Sequence, residues 1–367
     1  MTKTASLTTQ LQAQITSEIA ASGGWMGFDR FMALALYTPG LGYYANHSRK
    51  FGAMPATGSD FVTAPEMTPL FGRTLAVQVA QALEATQTSE VWEFGAGSGA
   101  LALKLLEALG SKITRYTIID LSGTLRERQQ AALAAHGGKV RWLSELPAAM
   151  QGVIVGNEVL DAMPVKLLAR VGGVWHERGV ALHEGAFTWA DRPTGLRPPV
   201  EVEGPHDYLT ETHEQAEGFI RTLADRLTQG AAFFIDYGFP ESEYYHPQRH
   251  MGTLMCHRGH LADANPLVDV GLKDITAHVN FTAMALAAQE AGLEVAGYAS
   301  QARFLINCGL VPMLEHASLA ERTNALRLVN EHEMGELFKV IALVKTAAVG
   351  APWPLVGFAA GDRTHTL

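Results

Sequence analysis

A glycine-rich segment in the first third of the chain has the residue types of a cofactor-binding turn. Residues 93–99 are Glu-Phe-Gly-Ala-Gly-Ser-Gly, and they follow the apolar residues Val91 and Trp92. Glycines let a ligand approach the backbone closely, and the start of a following helix carries positive potential. The segment therefore predicts a strand, a tight turn and a helix that together bind a cofactor.

The turn alone leaves the identity of that cofactor open. Gly95, Gly97 and Ala100 satisfy the G-x-G-x-x-G/A pattern of dinucleotide-binding proteins, and Asp120 lies where a ribose-binding carboxylate is expected. Glu93, two residues before the first glycine, suits a cofactor with a cationic amino-acid part better than a pyrophosphate. This favours S-adenosyl-L-methionine, with a nucleotide-dependent oxidoreductase or a merely structural turn as the alternatives.

A second group of polar residues follows two later strand-like segments. Asn157, Glu158 and Asp161 come after one of them, and Asp236 and Tyr237 end the other. Open α/β sheets bind ligands at the carboxyl ends of their strands, so these residues are candidates for the reaction site. The alternative is that the Asn and Asp side chains cap turns or helices, as they commonly do.

The elements that must position these residues alternate along the chain. Strand and helix patterns in alternation predict an α/β domain with a mostly parallel sheet and helices on both faces. The predicted strands are residues 91–94, 116–121, 140–143, 152–157, 231–237, 293–299 and 338–345. Predicted helices cover residues 7–19, 28–37, 101–109, 216–227 and 282–291 and stretches between 303 and 332. Residues 38–69 predict a long loop, 165–189 antiparallel hairpins, and 239–280 a second insertion.

Composition and charge exclude several classes of protein. The 367 residues are 47% hydrophobic and 18% charged, which is typical of a globular protein with a sizeable core. The net charge of −9 argues against a nucleic-acid partner, which requires a basic surface. No apolar run approaches the roughly 18 residues of a membrane span, and the N-terminus resembles neither a signal nor a transit peptide. We therefore expect no membrane span and a cytoplasmic location.

Metal and disulfide chemistry are not expected either. Cys256 and Cys308 are the two cysteines, too few for a disulfide framework. Cys256 and four nearby histidines, His246, His250, His257 and His260, lack the paired spacing of zinc ligands, and 14 histidines in the chain make chance clustering common. No G-x-S-x-G motif marks a hydrolase nucleophile. The sequence thus predicts a reaction without a metal.

Several blocks of sequence occur in the order found in one known family. They lie at residues 39–44, 58–66, 69–72, 93–99, 157–164, 235–238, 274–281 and 334–339. In these blocks the chain resembles the MidA-like methyltransferases, the family of the mitochondrial complex I assembly arginine methyltransferase. The resemblance covers roughly residues 25–345, and linked blocks in order are more specific than the glycine turn.

The resemblance implies a Rossmann-like class I methyltransferase core with a seven-stranded sheet. It also implies S-adenosyl-L-methionine as cofactor, with S-adenosyl-L-homocysteine as product, and methylation of an arginine on a subunit of NADH dehydrogenase. A protein substrate is therefore expected, and a homodimer is compatible with the sequence. The competing interpretation is an assembly chaperone that binds the cofactor with little catalysis.

The residues expected to contact the cofactor are Thr63, Ala64, Pro65, Glu93, Phe94, Gly95, Ala96, Gly97, Gly99, Asp120, Leu121 and Asn157. Asp120 stands where the family often has glutamate, and its shorter side chain should still reach a ribose hydroxyl. Asp60 and residues 63–65 are expected to cover the cofactor as a lid that excludes water.

The residues expected at the methyl acceptor follow from the same resemblance. A guanidinium has a pKa above about 12, so a carboxylate that orients it can also accept its proton. Glu158 and Asp161, with Asn157, are the catalytic candidates. The substrate-binding candidates are Tyr43, Asp236, Tyr237, His260 and His278.

The expected organisation has three parts. Residues 1–85 form N-terminal helices and the covering loop, and residues 86–345 form the methyltransferase core, with insertions at about 165–200 and 239–280. Residues 346–367 form a C-terminal tail.

Overall fold

The computed structural model describes residues 3–46, 63–120, 123–345 and 353–367. Its helices are α1 (Lys3–Ala21), α2 (Phe28–Tyr37), α3 (Ala64–Met67), α4 (Pro69–Ala85), α5 (Ala100–Leu109), α6 (Gly123–Ala132), α7 (Glu214–Arg226), α8 (Glu241–Tyr244), α9 (Phe281–Glu290), α10 (Gln301–Asn307), α11 (Leu310–Glu315) and α12 (Leu319–Val329). Its strands are β1 (Trp25–Gly27), β2 (Glu90–Phe94), β3 (Arg115–Ile119), β4 (Val140–Leu143), β5 (Met150–Asn157), β6 (Lys166–Val171), β7 (Val174–His183), β8 (Ala186–Pro193), β9 (Tyr208–Thr212), β10 (Leu227–Phe239), β11 (Met255–Arg258), β12 (Leu261–Asp263), β13 (Asp274–Thr276), β14 (Val279–Asn280), β15 (Glu294–Ser300) and β16 (Phe338–Lys345).

The main sheet has the order β15-β16-β10-β5-β2-β3-β4. The strands from β10 to β4 run parallel, whereas β16 is antiparallel to both of its neighbours. The two-residue strand β14 adds an eighth member beside the end of β10, where the sequence predicted seven strands. The predicted α/β class is confirmed, and the sheet is mixed because the last strand inserts between the fifth and the sixth.

Both faces of this sheet are covered by helices, which is why its strands are apolar almost throughout. Successive side chains of β10 point to opposite faces: Phe233 joins one hydrophobic cluster and Phe234 the other. The first cluster includes α4 and α5, and the second includes α7 and α9. Because β10, β5, β2, β3 and β4 are parallel, their carboxyl ends lie at the same edge of the sheet.

Two smaller sheets cover that edge. Strands β1, β7, β6 and β9 form an antiparallel sheet with β8 paired to β7, and α1 and α2 pack on it through a third cluster. The predicted hairpins at residues 165–189 are confirmed as β6, β7 and β8. The insertion at residues 239–280 contains the three-stranded sheet β12-β11-β13.

Several predicted boundaries were wrong. The sequence placed a loop up to residue 69 and gave no helix after it, but α3 and α4 occupy residues 64–67 and 69–85. The helix predicted from the apolar stripe at residues 216–227, with its end near Gly230, ends at Arg226, because Leu227 already belongs to the long strand β10. Helix α6 and strands β1 and β9 were not predicted. Residues 47–62, including Asp60 of the expected lid, lie outside the described residues.

The described part of the chain contains no helix that is both long and apolar enough to cross a membrane.

Candidate active site

A cavity of about 1320 Å³ opens at the carboxyl ends of β2, β3, β5 and β10. Its lining includes the glycine turn and Asp120 from the first two of these strands. It also includes Asn157, Glu158 and Asp161 after β5, and Tyr237 near the end of β10. The fold therefore brings together both groups of residues that the sequence singled out.

The glycine turn has a backbone that other residues rarely adopt. Gly95 has φ +62° and Gly97 has φ +52°, in the left-handed region where a Cβ atom is strained. A Cβ atom on Gly95 would also lie 3.1 Å from Val159 Cγ2. Helix α5 begins directly after the turn, at Ala100. The predicted strand, turn and helix are present, and the turn presents bare backbone to the cavity.

Glu93 lies below this turn as a buried carboxyl group. Its side chain is 2% exposed, and the Tyr116 hydroxyl donates a 2.7 Å hydrogen bond to Oε2. Burial raises the pKa of Glu93 to about 8, against the opposing effect of the Tyr116 hydrogen bond and with a smaller contribution from the Asp120 charge. A cation placed beside it would lower this pKa, which suits the cationic end of an amino acid.

Gln129 is a residue of the cofactor side that the sequence did not reveal. Its Nε2 donates to Gly97 O at 3.0 Å and to Asp120 Oδ2 at 2.9 Å. Its Oε1 accepts a 3.0 Å hydrogen bond from Trp142 Nε1, and the side chain is fully buried. One amide thus fixes the turn and the ribose-binding candidate relative to each other.

Glu158 has the most unusual geometry on the reaction side. Its φ of +52° is uncommon for a residue with a side chain, and strained backbone of this kind is enriched at functional sites. Its backbone N–H donates to Ile235 O at 2.9 Å, and Asn157 Nδ2 donates to Oε1 at 2.9 Å. Burial and the nearby Asp161 raise the pKa of Glu158 to about 8, while Asn157 and the Ala64 amide oppose the rise.

Asp161 is the second carboxyl group of the reaction side. Tyr237 donates a 2.5 Å hydrogen bond to Oδ2, and Oδ1 has no hydrogen-bond partner among the described residues. The side chain is 5% exposed, and burial raises its pKa against the opposing hydrogen bond from Tyr237. An unpartnered buried oxygen is costly, so a donor from a ligand would be strongly favoured here.

Asp236 has a different position from the one expected. It is absent from the cavity lining, and its Oδ2 accepts backbone hydrogen bonds from Val159, Leu160 and Asp161 at 3.1, 2.9 and 3.2 Å. Its Oδ1 accepts from the Tyr237 N–H at 2.9 Å. The carboxylate therefore shapes the turn that carries Glu158 and Asp161, and its predicted contact with substrate is not supported by this position.

Two other substrate candidates also lie away from the cavity wall. Tyr43 is fully buried in the third cluster and packs edge-on against Tyr44, with ring centroids 5.0 Å apart. Tyr44 lines the cavity in its place. His260 is exposed in the turn between β11 and β12. Of the remaining candidates, Tyr237 and His278 both line the cavity, with rings 5.2 Å apart.

The remaining cofactor candidates divide by position. Those in the cavity lining are Thr63, Pro65, Glu93, Phe94, Gly95, Ala96, Gly97, Asp120 and Asn157. Ala64 and Gly99 lie outside the lining, and Leu121 lies outside the described residues. Lining residues with polar groups to which the sequence assigned no role include Tyr37, Tyr44, Glu66 and Asp274. They come from α2, the turn after it, α3 and β13, which no single motif connects.

The donor set of the cavity fits an adenosyl cofactor. The turn presents backbone without side chains, and the Asp120 carboxylate can accept hydrogen bonds from ribose hydroxyls. The Glu93 carboxylate can neutralise the amino group of the cofactor's amino-acid part. Within the described ranges, no group of three or more His, Cys, Asp or Glu side chains is arranged to bind a metal ion.

Comparisons with known proteins agree with this geometry. Residues 74–299, more than half of the chain, match the family described as "Putative S-adenosyl-L-methionine-dependent methyltransferase". A COG1565 superfamily protein from Burkholderia thailandensis, solved with S-adenosyl-homocysteine bound, is 48% identical with a TM-score of 0.95. The match covers 100% of this chain and 99% of that one.

More distant relatives carry a more specific name. The Caenorhabditis elegans protein named as a mitochondrial protein arginine methyltransferase NDUFAF7 homolog is 25% identical, over 92% of this chain and 86% of its own. The human protein arginine methyltransferase NDUFAF7 is 26% identical, over 86% and 79%. The chain belongs to the family of putative S-adenosyl-L-methionine-dependent methyltransferases, and its cofactor is S-adenosyl-L-methionine.

Proposed function

We propose that this methyltransferase methylates a side-chain nitrogen of arginine in a protein substrate. The observation that carries the proposal is the pair of carboxyl groups, half-buried Glu158 and buried Asp161, in the cavity that also contains the glycine turn. The printed names of the relatives at about 25% identity support the choice of arginine.

The cofactor side of the cavity is assigned to the turn, Glu93 and Asp120. S-adenosyl-L-methionine supplies, when bound, an electrophilic methyl group on a positively charged sulfur. Gln129 keeps Asp120 beside the turn, and Tyr116 keeps Glu93 in place. These contacts exist in the protein alone, so little reorganisation is needed on binding.

The acceptor side is assigned to Glu158 and Asp161. A guanidinium that gains a methyl group must lose a proton from the reacting nitrogen, and its own pKa is above about 12. Burial makes the Glu158 carboxylate more basic than that of an ordinary glutamate, with a pKa of about 8, and a guanidinium bound beside it would favour the ionised form that accepts the proton. Asp161 Oδ1, which has no partner among the described residues, can accept a hydrogen bond from the second guanidinium nitrogen.

The identity of the protein substrate stays a prediction. The family resemblance suggests a subunit of an NADH dehydrogenase. The cytoplasmic location, which was expected from the N-terminal sequence, and the possible homodimer also stay predictions. The names of the curated relatives place those proteins in mitochondria.

The proposal is tested by identifying the methylated residue. Purified enzyme and radiolabelled S-adenosyl-L-methionine are incubated with cell extract, and the labelled proteins are hydrolysed for amino-acid analysis. We expect methylarginine with the wild type and none with Gly97→Arg, because Gly97 lines the cavity and its φ of +52° disfavours any side chain. Methyllysine or a methyl ester instead would contradict the proposal. Capture of a client protein without any labelled product would favour the chaperone interpretation.

A further inference from the structure

Another part of the cavity, next to Asp161, is lined by residues to which the sequence assigned no role. Tyr37 ends α2, Tyr44 lies in the turn that follows it, and Asp274 begins β13. All three line the cavity together with Asp161 and Tyr237. Tyr37 stacks on Tyr44 and donates to the carbonyl of Ala162, next to Asp161, while Tyr44 donates to Asp274, so these groups lie around one space.

The charged side chains around this space are acidic. Among the described residues that line the cavity there are several carboxyl groups, including Glu158, Asp161 and Asp274, and no lysine or arginine. Asp161 is 5% exposed and its Oδ1 has no hydrogen-bond partner in the described part of the chain. A buried acceptor of this kind points to a ligand that brings a donor and a positive charge.

The aromatic rings of this space are fixed in position. The rings of Tyr37 and Tyr44 stack with centroids 5.6 Å apart at 19°. Tyr37 donates to Ala162 O at 2.8 Å, and Tyr44 donates to both carboxylate oxygens of Asp274 at 2.8 and 2.9 Å. Each hydroxyl is thus held by a hydrogen bond, which fixes the orientation of its ring.

Aromatic rings held beside carboxylates are well suited to bind a planar cation. A guanidinium is planar, stacks on aromatic rings and donates two parallel hydrogen bonds to a carboxylate. An ammonium is compact and strongly hydrated, and it gains less from flat neighbours. The contents of this space therefore favour a planar cation.

We infer that Tyr37, Tyr44 and Asp274 form, with Asp161, the subsite that selects the guanidinium of the methyl acceptor over an ammonium. This inference rests on the proposed function, and it assigns the choice of acceptor to residues other than Glu158. Asp274 and Asp161 bind the cation, and the two tyrosines set the space into which its plane fits.

The test measures binding without turnover. Enzyme saturated with S-adenosyl-L-homocysteine is titrated with N-acetyl-L-arginine methylamide, the lysine analogue and the neutral citrulline analogue. We expect the arginine probe to bind at least about tenfold more tightly than either of the others. Asp274→Asn should weaken the arginine probe about tenfold, and Tyr37→Leu should reduce the arginine-to-lysine ratio to near one.

Three further variants show whether an effect is local. Asp225→Asn, at an exposed position on α7, is the matched control and should bind all probes as the wild type does. Tyr44→Phe keeps the ring but removes the hydrogen bond to Asp274, so it should lower affinity for arginine less than Tyr44→Leu. Every variant must bind S-adenosyl-L-homocysteine within about twofold of the wild type, which shows that the fold is intact.

The outcomes separate this inference from the proposed function. If extracts yield methylarginine but the Asp274 and Tyr37 variants bind the arginine probe like the wild type, the subsite is wrong and the proposed function stands. If the wild type prefers the lysine probe, arginine selection by this subsite and the proposed function are both contradicted. Equal binding of the arginine and citrulline probes overturns the inference, because the subsite then recognises no charge.

Discussion

The carboxyl residues at and near the cavity have similar chemistry but different positions relative to its surface. Glu158 and Asp161 line the cavity, whereas Asp236 lies behind them and accepts backbone hydrogen bonds from the turn that carries them. Glu93 is buried under the glycine turn, and Asp120 lines the cavity beside it. A residue type at a strand end therefore does not decide whether a side chain contacts a ligand or shapes the backbone that presents one.

The role of Glu158 as proton acceptor can be tested by a single substitution. Glu158→Gln keeps the size of the side chain but removes the proton acceptor, so the turnover number should fall by roughly 10²–10⁴. The affinity for S-adenosyl-L-homocysteine should change little, because the cofactor residues are untouched. Calorimetry and methyl transfer to the arginine-containing protein identified from extracts would check the two values. A normal turnover number in this variant would remove Glu158 from the mechanism.

The second prediction concerns pH and the Glu93 carboxyl group. Burial raises the pKa of Glu93 to about 8 in the folded protein, so the native state binds its proton more tightly than the unfolded chain. The free energy of unfolding should therefore decrease as the pH rises from about 4.5 to about 8. In Glu93→Gln this contribution is absent. Urea denaturation of both proteins without cofactor should show a shallower pH dependence for the variant; identical slopes would contradict the raised pKa.

Among the elements, helix α6 shows what the sequence could not reveal. Its composition is polar, and Gln129 within it is fully buried against Gly97 and Asp120. The strand and turn around Gly95 were predictable because alternating glycines have a specific conformational reason to be there. A glutamine has many environments in helices, and only its three-dimensional neighbours identify this one.

The prediction at the element scale follows from that contact. Gln129→Leu removes the donor that joins the turn to Asp120, so affinity for S-adenosyl-L-homocysteine should fall about tenfold. Gln130→Leu, one residue along the same helix at an exposed position, is the matched control and should bind normally. Calorimetry measures both. If the two variants bind alike, the amide of Gln129 has no part in positioning the cofactor residues.

Across the whole molecule, the strands of the central sheet were easier to predict from the sequence than the residues that line the cavity. Apolar runs such as residues 231–237 predict buried strands, and β10 extends this run in both directions. Tyr43 and Tyr44 are adjacent and chemically identical, yet one is core and the other lines the cavity. Which of them faces the ligand depends on packing with α1, α2 and the β13 region, and this cannot be derived from spacing alone.

The C-terminal residues supply the prediction at this scale. Phe358 is 7% exposed, packs 5.4 Å from the ring of Phe304, and would meet any Cβ atom placed on Gly297. Phe358→Ala should lower the free energy of unfolding by about 3–5 kcal/mol. Leu319→Ala, at a side chain that is 82% exposed, should change it by less than about 0.5 kcal/mol. Urea denaturation compares them, and equal stability would mean that this segment does not belong to the core.

The hydrogen bond from Tyr44 to Asp274 joins residues 230 positions apart in the chain. Glu93, Asp120, Gln129 and Trp142, by contrast, all lie within residues 93–142. During synthesis on the ribosome, the cofactor side can therefore emerge long before Asp274 has been translated. A nascent chain would lack the carboxylate that Tyr44 contacts until about three quarters of the polypeptide had been made, and it would lack strand β16 of the main sheet for longer still.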